Sequence, residues 1–197
     1  MTKNLIFDYG RVLVGFDPYK LYSRFFGDTV EASWFVWSVI SEKWVRKLDI
    51  GQPFDECIRE LQSLYPEYKD AIALYDTCYQ KMVTGEIPGM YDLISNYKVN
   101  GMKIYGLTNW SYKVHEVIKR YPIFSLIDGM VISSEVHLLK PDAAIYQCLL
   151  DKYTLNAEEC VFVDDRQENV ETACQMGMKG VFFKDSEQLR IQLSRMI

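Results

Sequence analysis

Apolar runs of strand length alternate with amphipathic helical segments over the second half of the chain. The apolar runs lie at 103–107, 129–132, 160–163 and 180–183, and 4–7 adds a similar run near the N-terminus. Helical patterns cover 90–99, about 111–121, the segment from 142, the segment up to 177, and 186–195. This alternation is typical of a parallel sheet covered by helices, so we predict an α/β fold with a Rossmann-like, three-layer core.

Residues 16–86 break this alternation and show only helical periodicity, without a convincing strand. Asp17 followed by Pro18 predicts a helix start, because proline suits the first helical position. Further helices are predicted over 53–64 and 68–84. The predicted organisation is a core of residues 1–15 and 87–197, with the helical insert 16–86 after the first strand.

The composition is that of an ordinary globular protein, with 49% hydrophobic and 25% charged residues. A net charge of −5 gives no reason to expect a nucleic-acid partner. The chain has neither an apolar run near the roughly 18 residues of a membrane span nor a signal-peptide pattern. The five cysteines lack a CxxC spacing, so we expect reduced thiols in a cytoplasmic protein and no zinc site.

Polar residues suited to phosphate and metal chemistry follow several of the predicted strands. They are Asp8, Thr108 with Asn109, Lys140, and Asp164 with Asp165. Each alone is a common turn or helix-start residue. Ligands of open parallel sheets bind beyond the carboxyl ends of the strands, so their joint occurrence in this position predicts one site.

These residue types together suit phosphoryl transfer. The Asp8 carboxylate is a candidate nucleophile or metal ligand, and a hydroxyl and an amide after the next strand are able to bind phosphate oxygens. The adjacent pair Asp164 and Asp165 matches Mg²⁺, which prefers oxygen ligands. A metal ion and Lys140 would cancel the repulsion between a carboxylate and a phosphate dianion. The predicted route is an aspartyl-phosphate that water then hydrolyses.

Four segments resemble the four motifs of the haloacid dehalogenase-like hydrolase superfamily. They are Phe7-Asp8-Tyr9-Gly10-Arg11-Val12-Leu13, Leu107-Thr108-Asn109, Lys140-Pro141-Asp142, and Phe162-Val163-Asp164-Asp165-Arg166 with Asn169. The resemblance extends over essentially the whole chain, and the helical insert matches the small helical cap of that family. Within that superfamily the chain resembles bacterial sugar-phosphate phosphatases of the alpha-glucose-1-phosphate phosphatase type.

The resemblance implies a nucleophile and a magnesium site. Asp8 would be the nucleophile and a metal ligand, and Gly10 would offer its backbone carbonyl to the metal. Asp165 would be a direct ligand, and Asp164 would bind the metal directly or through water.

The resemblance also implies a phosphate site. Thr108 and Asn109 would bind the phosphoryl group, and Lys140 would stabilise its charge. Asn169 would orient Lys140, and Arg11 is a further candidate contact to substrate or phosphate.

Gly10 stands where most phosphatases of the superfamily carry a second aspartate as general acid and base. The sugar-phosphatase subgroup often has glycine there, so the assignment survives, but the proton donor for the leaving group is missing. General acid–base help is typically worth about 10²–10⁴-fold, so we expect slow turnover or a preference for good leaving groups. Asp17 and a water molecule are the candidates for this role, although Asp17 is also suited to capping a helix. His137 replaces a glycine common in relatives, and we expect a surface loop residue there.

The sequence therefore predicts a magnesium-dependent phosphatase that acts on a small phosphate monoester, with a sugar phosphate favoured. One alternative is a metal-independent dehalogenase of the same superfamily, against which the pair Asp164 and Asp165 argues. The other is a protein that binds a phosphate ligand without turnover, for which Gly10 argues.

Overall fold

A five-stranded parallel sheet forms the centre of the computed structural model, which describes residues 2–197. Its strands are β1 (Asn4–Phe7), β4 (Lys103–Thr108), β5 (Gly129–Ile132), β6 (Cys160–Asp164) and β7 (Lys179–Phe182). They are arranged in the order β5-β4-β1-β6-β7, and every neighbouring pair is parallel. The predicted α/β fold with a parallel sheet is confirmed.

Helices cover both faces of this sheet, as the alternation of side chains along β1 requires. They are α6 (Met90–Val99), α7 (Val114–Arg120), α8 (Ser133–Val136), α9 (Ala143–Tyr153), α10 (Gln167–Gln175) and α11 (Ser186–Met196). Leu5 and Phe7 pack into a core cluster that includes residues of α6, α7 and α11. Ile6 points to the opposite face and packs with residues of α9 and α10. The core therefore has the three layers predicted.

The helical insert contains five α-helices and one π-helical segment, Phe35–Val39, within the described chain. The α-helices are α1 (Pro18–Phe26), α2 (Thr29–Trp34), α3 (Glu42–Asp49), α4 (Phe54–Leu64) and α5 (Lys69–Thr77). Asp17 precedes α1, and its carboxylate accepts a hydrogen bond of 3.3 Å from the Lys20 amide. The sequence-predicted start of α1 is therefore correct.

The predicted helix over 68–84 is wrong at its C-terminal end, and so is the expectation of no strand in the insert. Residues Val83–Glu86 form β3, which pairs antiparallel with β2 (Val14–Phe16). The Asp17 amide also donates to the Met82 carbonyl at 2.8 Å, which draws this segment against the start of the insert. Long-range pairing with β2 thus overrides the local helical pattern. The ribbon of β2 and β3 lies where the chain enters and leaves the insert.

Two further features concern membrane crossing and the state of the cysteines. Within residues 2–197, no helix combines the length and the apolar character that a membrane crossing requires. The five cysteines of the chain are free thiols in this structure.

Candidate active site

The register of the central strands brings the carboxyl ends of β1, β4 and β6 to one level. Phe7 lies opposite Gly106 on β4 and opposite Val163 on β6. The Asp8 amide then donates to the Val163 carbonyl at 2.9 Å, which fixes the backbone at the end of β1. The residues that the sequence predicted after these strands therefore lie side by side.

The ammonium group of Lys140 is the centre of this cluster and is almost fully buried. Its Nζ lies 2.9 Å from Asp8 Oδ1 and 2.6 Å from Asp164 Oδ2, and it donates to the Leu107 carbonyl at 2.8 Å. Three acceptors match the three donors of an ammonium group, so its hydrogen bonding is complete. This arrangement fixes the amine directly beside Asp8.

Asp164 is completely buried, and both of its carboxylate oxygens accept hydrogen bonds. Besides Lys140, its donors are the Asn169 side chain, at 3.0 Å from each oxygen, and the Arg166 amide at 2.8 Å. The expected influence of Asn169 on Lys140 would therefore be indirect. Asn169 binds Asp164, which in turn binds the lysine.

Asn109 and Thr108, both predicted to bind phosphate, differ in what their side chains do. The Asn109 amide donates to the Lys140 carbonyl at 2.9 Å and accepts from the Lys140 amide at 2.8 Å. Asn109 therefore fixes the backbone that carries the lysine. The Thr108 hydroxyl is buried and has no hydrogen-bond partner among the described residues. A buried hydroxyl without a partner costs free energy, so Thr108 is the group that a ligand would satisfy.

Three carboxylates of the site meet in one small volume. Oxygen atoms of Asp8, Asp164 and Asp165 lie within 4.8 Å of one another. Asp165 is the most exposed of the three, and Arg11 is a loose ion-pair partner at 3.9 Å. The exposed Arg11 adopts a left-handed backbone conformation (φ 63°) at the edge of the cluster. An all-oxygen donor set with a partly open member suits Mg²⁺.

Burial and mutual repulsion control the protonation of this cluster. Burial raises the pKa of Asp8 to about 7, opposed by Lys140 and reinforced by Asp164 and Asp165. The pKa of Asp165 is raised by burial and by Asp164, while Arg11 opposes the shift. Burial alone would lower the pKa of Lys140, but Asp164 and Asp8 raise it above its ordinary value. The amine is therefore a permanent cation in an excess of negative charge.

A cavity of about 400 Å³ separates the helical insert from this cluster. Gly10, Asn109 and Asp165 line it on the side of the sheet. The insert contributes mainly aromatic and aliphatic side chains, which include Phe16, Val36, Trp37, Ile40, Tyr75 and Tyr79. Asp17 also lines the cavity while capping α1, so its position leaves both of its predicted roles in place.

Asp49, at the end of α3, is a site residue that the sequence did not single out. It lines the cavity, and burial raises its pKa to about 7, reinforced by repulsion from Asp8. In the sequence it belongs only to the turn 49–53, and neither its spacing nor its neighbours mark it. Its place in the cavity depends on how the insert packs on the core.

Hydrogen bonds tie the end of α3 to the core beside the site. The Ser133 hydroxyl donates to the Asp49 carbonyl at 2.6 Å and accepts from the Trp110 amide at 2.9 Å. His137 Nδ1 donates to the Ile50 carbonyl at 2.8 Å, so this residue is a contact to the insert rather than a surface loop residue alone. The insert is therefore fixed to the ends of β4 and β5.

Fold and site together define a protein of the α/β class with a carboxylate cluster at the ends of its parallel strands. A family model described as haloacid dehalogenase-like hydrolase matches residues 5–183. The chain belongs to this family, as the sequence motifs predicted.

Curated relatives align with about half of the chain. A sesquiterpene phosphatase of Aspergillus oryzae is 30% identical over 109 residues, which are 55% of this chain and 56% of that protein. A flavin mononucleotide hydrolase of Arabidopsis thaliana is 24% identical over 108 residues, which are 55% of this chain and 44% of that protein. The chain thus spans about half the length of these relatives or less.

Solved structures match the chain over all or nearly all of its length. A haloacid dehalogenase-like hydrolase from Porphyromonas gingivalis superposes with a TM-score of 0.77 at 20% identity, covering 100% of this chain and 98% of that chain. A family enzyme of Bacteroides thetaiotaomicron, in complex with magnesium and inorganic phosphate, superposes with a TM-score of 0.71 at 16% identity, covering 94% and 96%. At these identities the likeness shows a shared fold.

Proposed function

We propose that this hydrolase is a magnesium-dependent phosphatase that cleaves a small phosphate monoester through an aspartyl-phosphate. The observation that carries the proposal is the buried Lys140, which contacts both Asp8 and Asp164 inside a group of three carboxylates. A carboxylate nucleophile beside a fixed cation suits attack on an anionic phosphorus centre. The names of two aligned relatives, a sesquiterpene phosphatase and a flavin mononucleotide hydrolase, point in the same direction.

The donor set fits a hard divalent cation. We assign Asp8 and Asp165 as its direct ligands, with Asp164 as a third ligand or a support, because both oxygens of Asp164 already accept hydrogen bonds. The Gly10 carbonyl is a further ligand by the family's motif. Bound Mg²⁺ would supply charge neutralisation at the phosphoryl oxygens.

The protein's own residues would act in two steps. The Asp8 carboxylate attacks phosphorus, the bond to the ester oxygen breaks, and that oxygen takes up a proton and leaves as an alcohol. Water then attacks the aspartyl-phosphate, which releases phosphate and restores Asp8. The Thr108 hydroxyl donates to a phosphoryl oxygen, which gives this buried group the partner it lacks. Lys140 holds positive charge beside the reacting oxygens throughout.

We assign the helical insert, residues 16–86, as a cap that closes the site over the substrate. Its aromatic and aliphatic side chains line the cavity opposite Asp165 and would contact the leaving group. This apolar lining suits an ester with an apolar or aromatic leaving group at least as well as it suits the sugar phosphate that the family resemblance favoured. The sesquiterpene phosphatase and the flavin mononucleotide hydrolase among the relatives are named for such groups.

A panel of phosphate esters tests the proposal. Phosphate release would be measured from a sugar 1-phosphate, flavin mononucleotide, an isoprenoid phosphate and p-nitrophenyl phosphate, with excess Mg²⁺ and with chelator. We expect release only with the metal. Full activity in chelator, together with halide release from a haloacid, would move the assignment to the dehalogenase branch. No turnover, with retention of phosphate by the protein, would support a binding protein.

A matched pair of variants shows whether turnover uses the proposed nucleophile. Asp8→Asn removes the attacking oxygen with almost no change in volume, so release should fall to background. Asp28→Asn makes the same change at the N-cap of α2, outside the site, and should keep full activity. Near wild-type release by a folded Asp8→Asn protein contradicts the mechanism.

The free cysteines suit the reducing cytoplasm, where we expect the protein.

A further inference from the structure

We propose that Asp49, supplied by the helical insert, is the general acid and base that Gly10 fails to provide. The proposal deepens the proposed function, because it assigns a catalytic residue to that phosphatase reaction. It rests on where Asp49 lies, on how its position is fixed, and on the commitments of the other carboxylates around the cavity.

Asp49 lies on the insert side of the cavity. It lines the same 400 Å³ space as Gly10, Asn109 and Asp165. A leaving group bound in the cavity would lie between the Asp8 side and the insert side, where Asp49 is available to its oxygen.

Contacts with the core hold Asp49 in this position. Ser133 bonds to its carbonyl, and His137 bonds to the carbonyl of the next residue, at 2.6 and 2.8 Å. Gly51 follows in a left-handed conformation (φ 99°), and a Cβ there would lie 2.6 Å from the Ser134 carbonyl oxygen. Two hydrogen bonds and one close backbone approach therefore hold the end of α3 against the rim of the active site.

The groups facing Asp49 favour a protonated carboxyl near neutral pH. Burial and Asp8 raise its pKa to about 7, while the Ser111 amide, Arg46 and Lys140 oppose the shift. Tyr75 and Tyr79, from α5 and the turn after it, face the same carboxyl group. An acid catalyst works best with a pKa near the operating pH.

The other carboxylates that line the cavity have interaction partners of their own. Asp17 accepts the Lys20 amide at the start of α1. Glu42 pairs with Arg166 at 2.7 Å. Asp165 belongs to the metal cluster. Asp49 and Asp17 remain as candidates to exchange a proton with substrate, and we favour Asp49 because its backbone is bonded to the rim of the active site, whereas Asp17 caps α1.

Asp49 would supply the proton needed in the first step and accept the proton released in the second. In the first step Asp8 forms a bond to phosphorus, the phosphorus–oxygen bond of the ester breaks, and the Asp49 proton moves to the departing oxygen. In the second step the Asp49 carboxylate takes a proton from the attacking water. The bond between Asp8 and phosphorus breaks, phosphate leaves, and Asp49 is protonated again.

The test is a leaving-group series on Asp49→Asn, with kcat/KM measured in excess Mg²⁺ for aryl phosphates of rising leaving-group pKa and one alkyl phosphate. We expect losses that grow along the series to about 10²–10⁴-fold for the poorest leaving group. With p-nitrophenyl phosphate, the variant should release a burst of nitrophenol, because hydrolysis of the aspartyl-phosphate loses its base. Asp28→Asn, outside the site, is the matched control and should keep the wild-type slope, and Asp17→Asn is measured as the rival proton donor.

Several outcomes would overturn the proposal while leaving the proposed function intact. An unchanged slope in a folded Asp49→Asn protein does so, and so does a steeper slope in Asp17→Asn instead. If Asp49→Asn does not fold, Asp49→Ala is measured in the same series. A wild-type protein that releases no phosphate from any ester would instead contradict the proposed function itself.

Discussion

The Lys140 ammonium lies 2.6 Å from the Asp164 carboxylate, and both side chains are buried in the centre of the site. Asn169 and the Arg166 amide bind the remaining acceptor positions of Asp164. The pair therefore has its polar atoms satisfied, which is the condition under which a buried ion pair is tolerated. Its position beside Asp8 links the stability of the fold to the chemistry of the site.

Lys140→Met should remove both activity and stability. The change leaves Asp8 and Asp164 buried without their cation, and breaking a buried ion pair costs about 3–5 kcal/mol. Denaturant unfolding and phosphate release measure the two effects. Lys47→Met removes an exposed partner of Glu60, so it should cost at most about 1 kcal/mol and leave activity unchanged. Equal stability losses in the two variants would contradict the structural role of Lys140.

The metal-free protein should lose stability as pH rises from about 4 to about 7. Asp8 has a pKa of 3.8 ordinarily and about 7 in the folded protein, so the folded state retains its proton over this range. Stability falls with pH wherever the folded state binds more protons, by about 1.4 kcal/mol per pH unit for each proton. Asp49 adds a second group with the same sign.

Asp8→Asn gives the matching measurement in chelator. The variant cannot ionise at this position, so its unfolding free energy should fall less steeply between pH 4 and 7 and exceed that of the wild type at pH 8. Urea unfolding at several pH values measures the slope. The same slope in both proteins would show that Asp8 ionises as freely in the folded chain as in the unfolded one.

Sequence patterns predicted the sheet and the cluster because both depend on local signals. The strand ends at Asp8, Thr108 and Asp164 are marked by apolar runs that stop at polar residues, and a parallel sheet then brings those ends together. What the sequence could not supply came from long-range packing. The strand Val83–Glu86 depends on its pairing with β2, and the approach of Asp49 depends on Ser133, which is 84 residues away.

Comparison of Asp164→Asn with Asp165→Asn should distinguish the structural role of Asp164 from the metal-binding role of Asp165. Asp164 is fully buried and accepts from Lys140, Asn169 and the Arg166 amide, so its replacement should destabilise the fold by several kcal/mol. Asp165 is partly exposed and has only the loose contact to Arg11, so its replacement should mainly weaken Mg²⁺ binding. Calorimetric Mg²⁺ titration and thermal unfolding of both variants test the split. A larger loss of metal affinity in a folded Asp164→Asn would reverse the assignment.

Gly51→Ala should loosen the contact between the insert and the core. Its Cβ would lie 2.6 Å from the Ser134 carbonyl oxygen and 2.9 Å from His137 Nδ1, in addition to the strain of a φ of 99°. Gly101→Ala is the matched control, because its φ is 91° with no atom within 4 Å of the added Cβ. Gly101→Ala should therefore cost about 1 kcal/mol, and Gly51→Ala clearly more. Equal melting temperatures of the two variants would show that Ser134 and His137 move aside for the added Cβ without loss of stability.

Gly10→Asp should fold normally and raise the relative rate on poor leaving groups. Gly10 does not have a positive φ, so a side chain there causes no backbone strain. An added Cβ would lie 3.6 Å from the Trp110 ring, which is an ordinary contact distance. A carboxyl group would then stand where other phosphatases of the superfamily carry their general acid. The ratio of kcat/KM for an alkyl phosphate to that for p-nitrophenyl phosphate measures the effect, with Gly10→Asn as the neutral control. The gain should be largest in the Asp49→Asn background, where the native proton donor is missing. An equal ratio in Gly10→Asp and Gly10→Asn would show that a carboxyl group at this position does not reach the leaving oxygen.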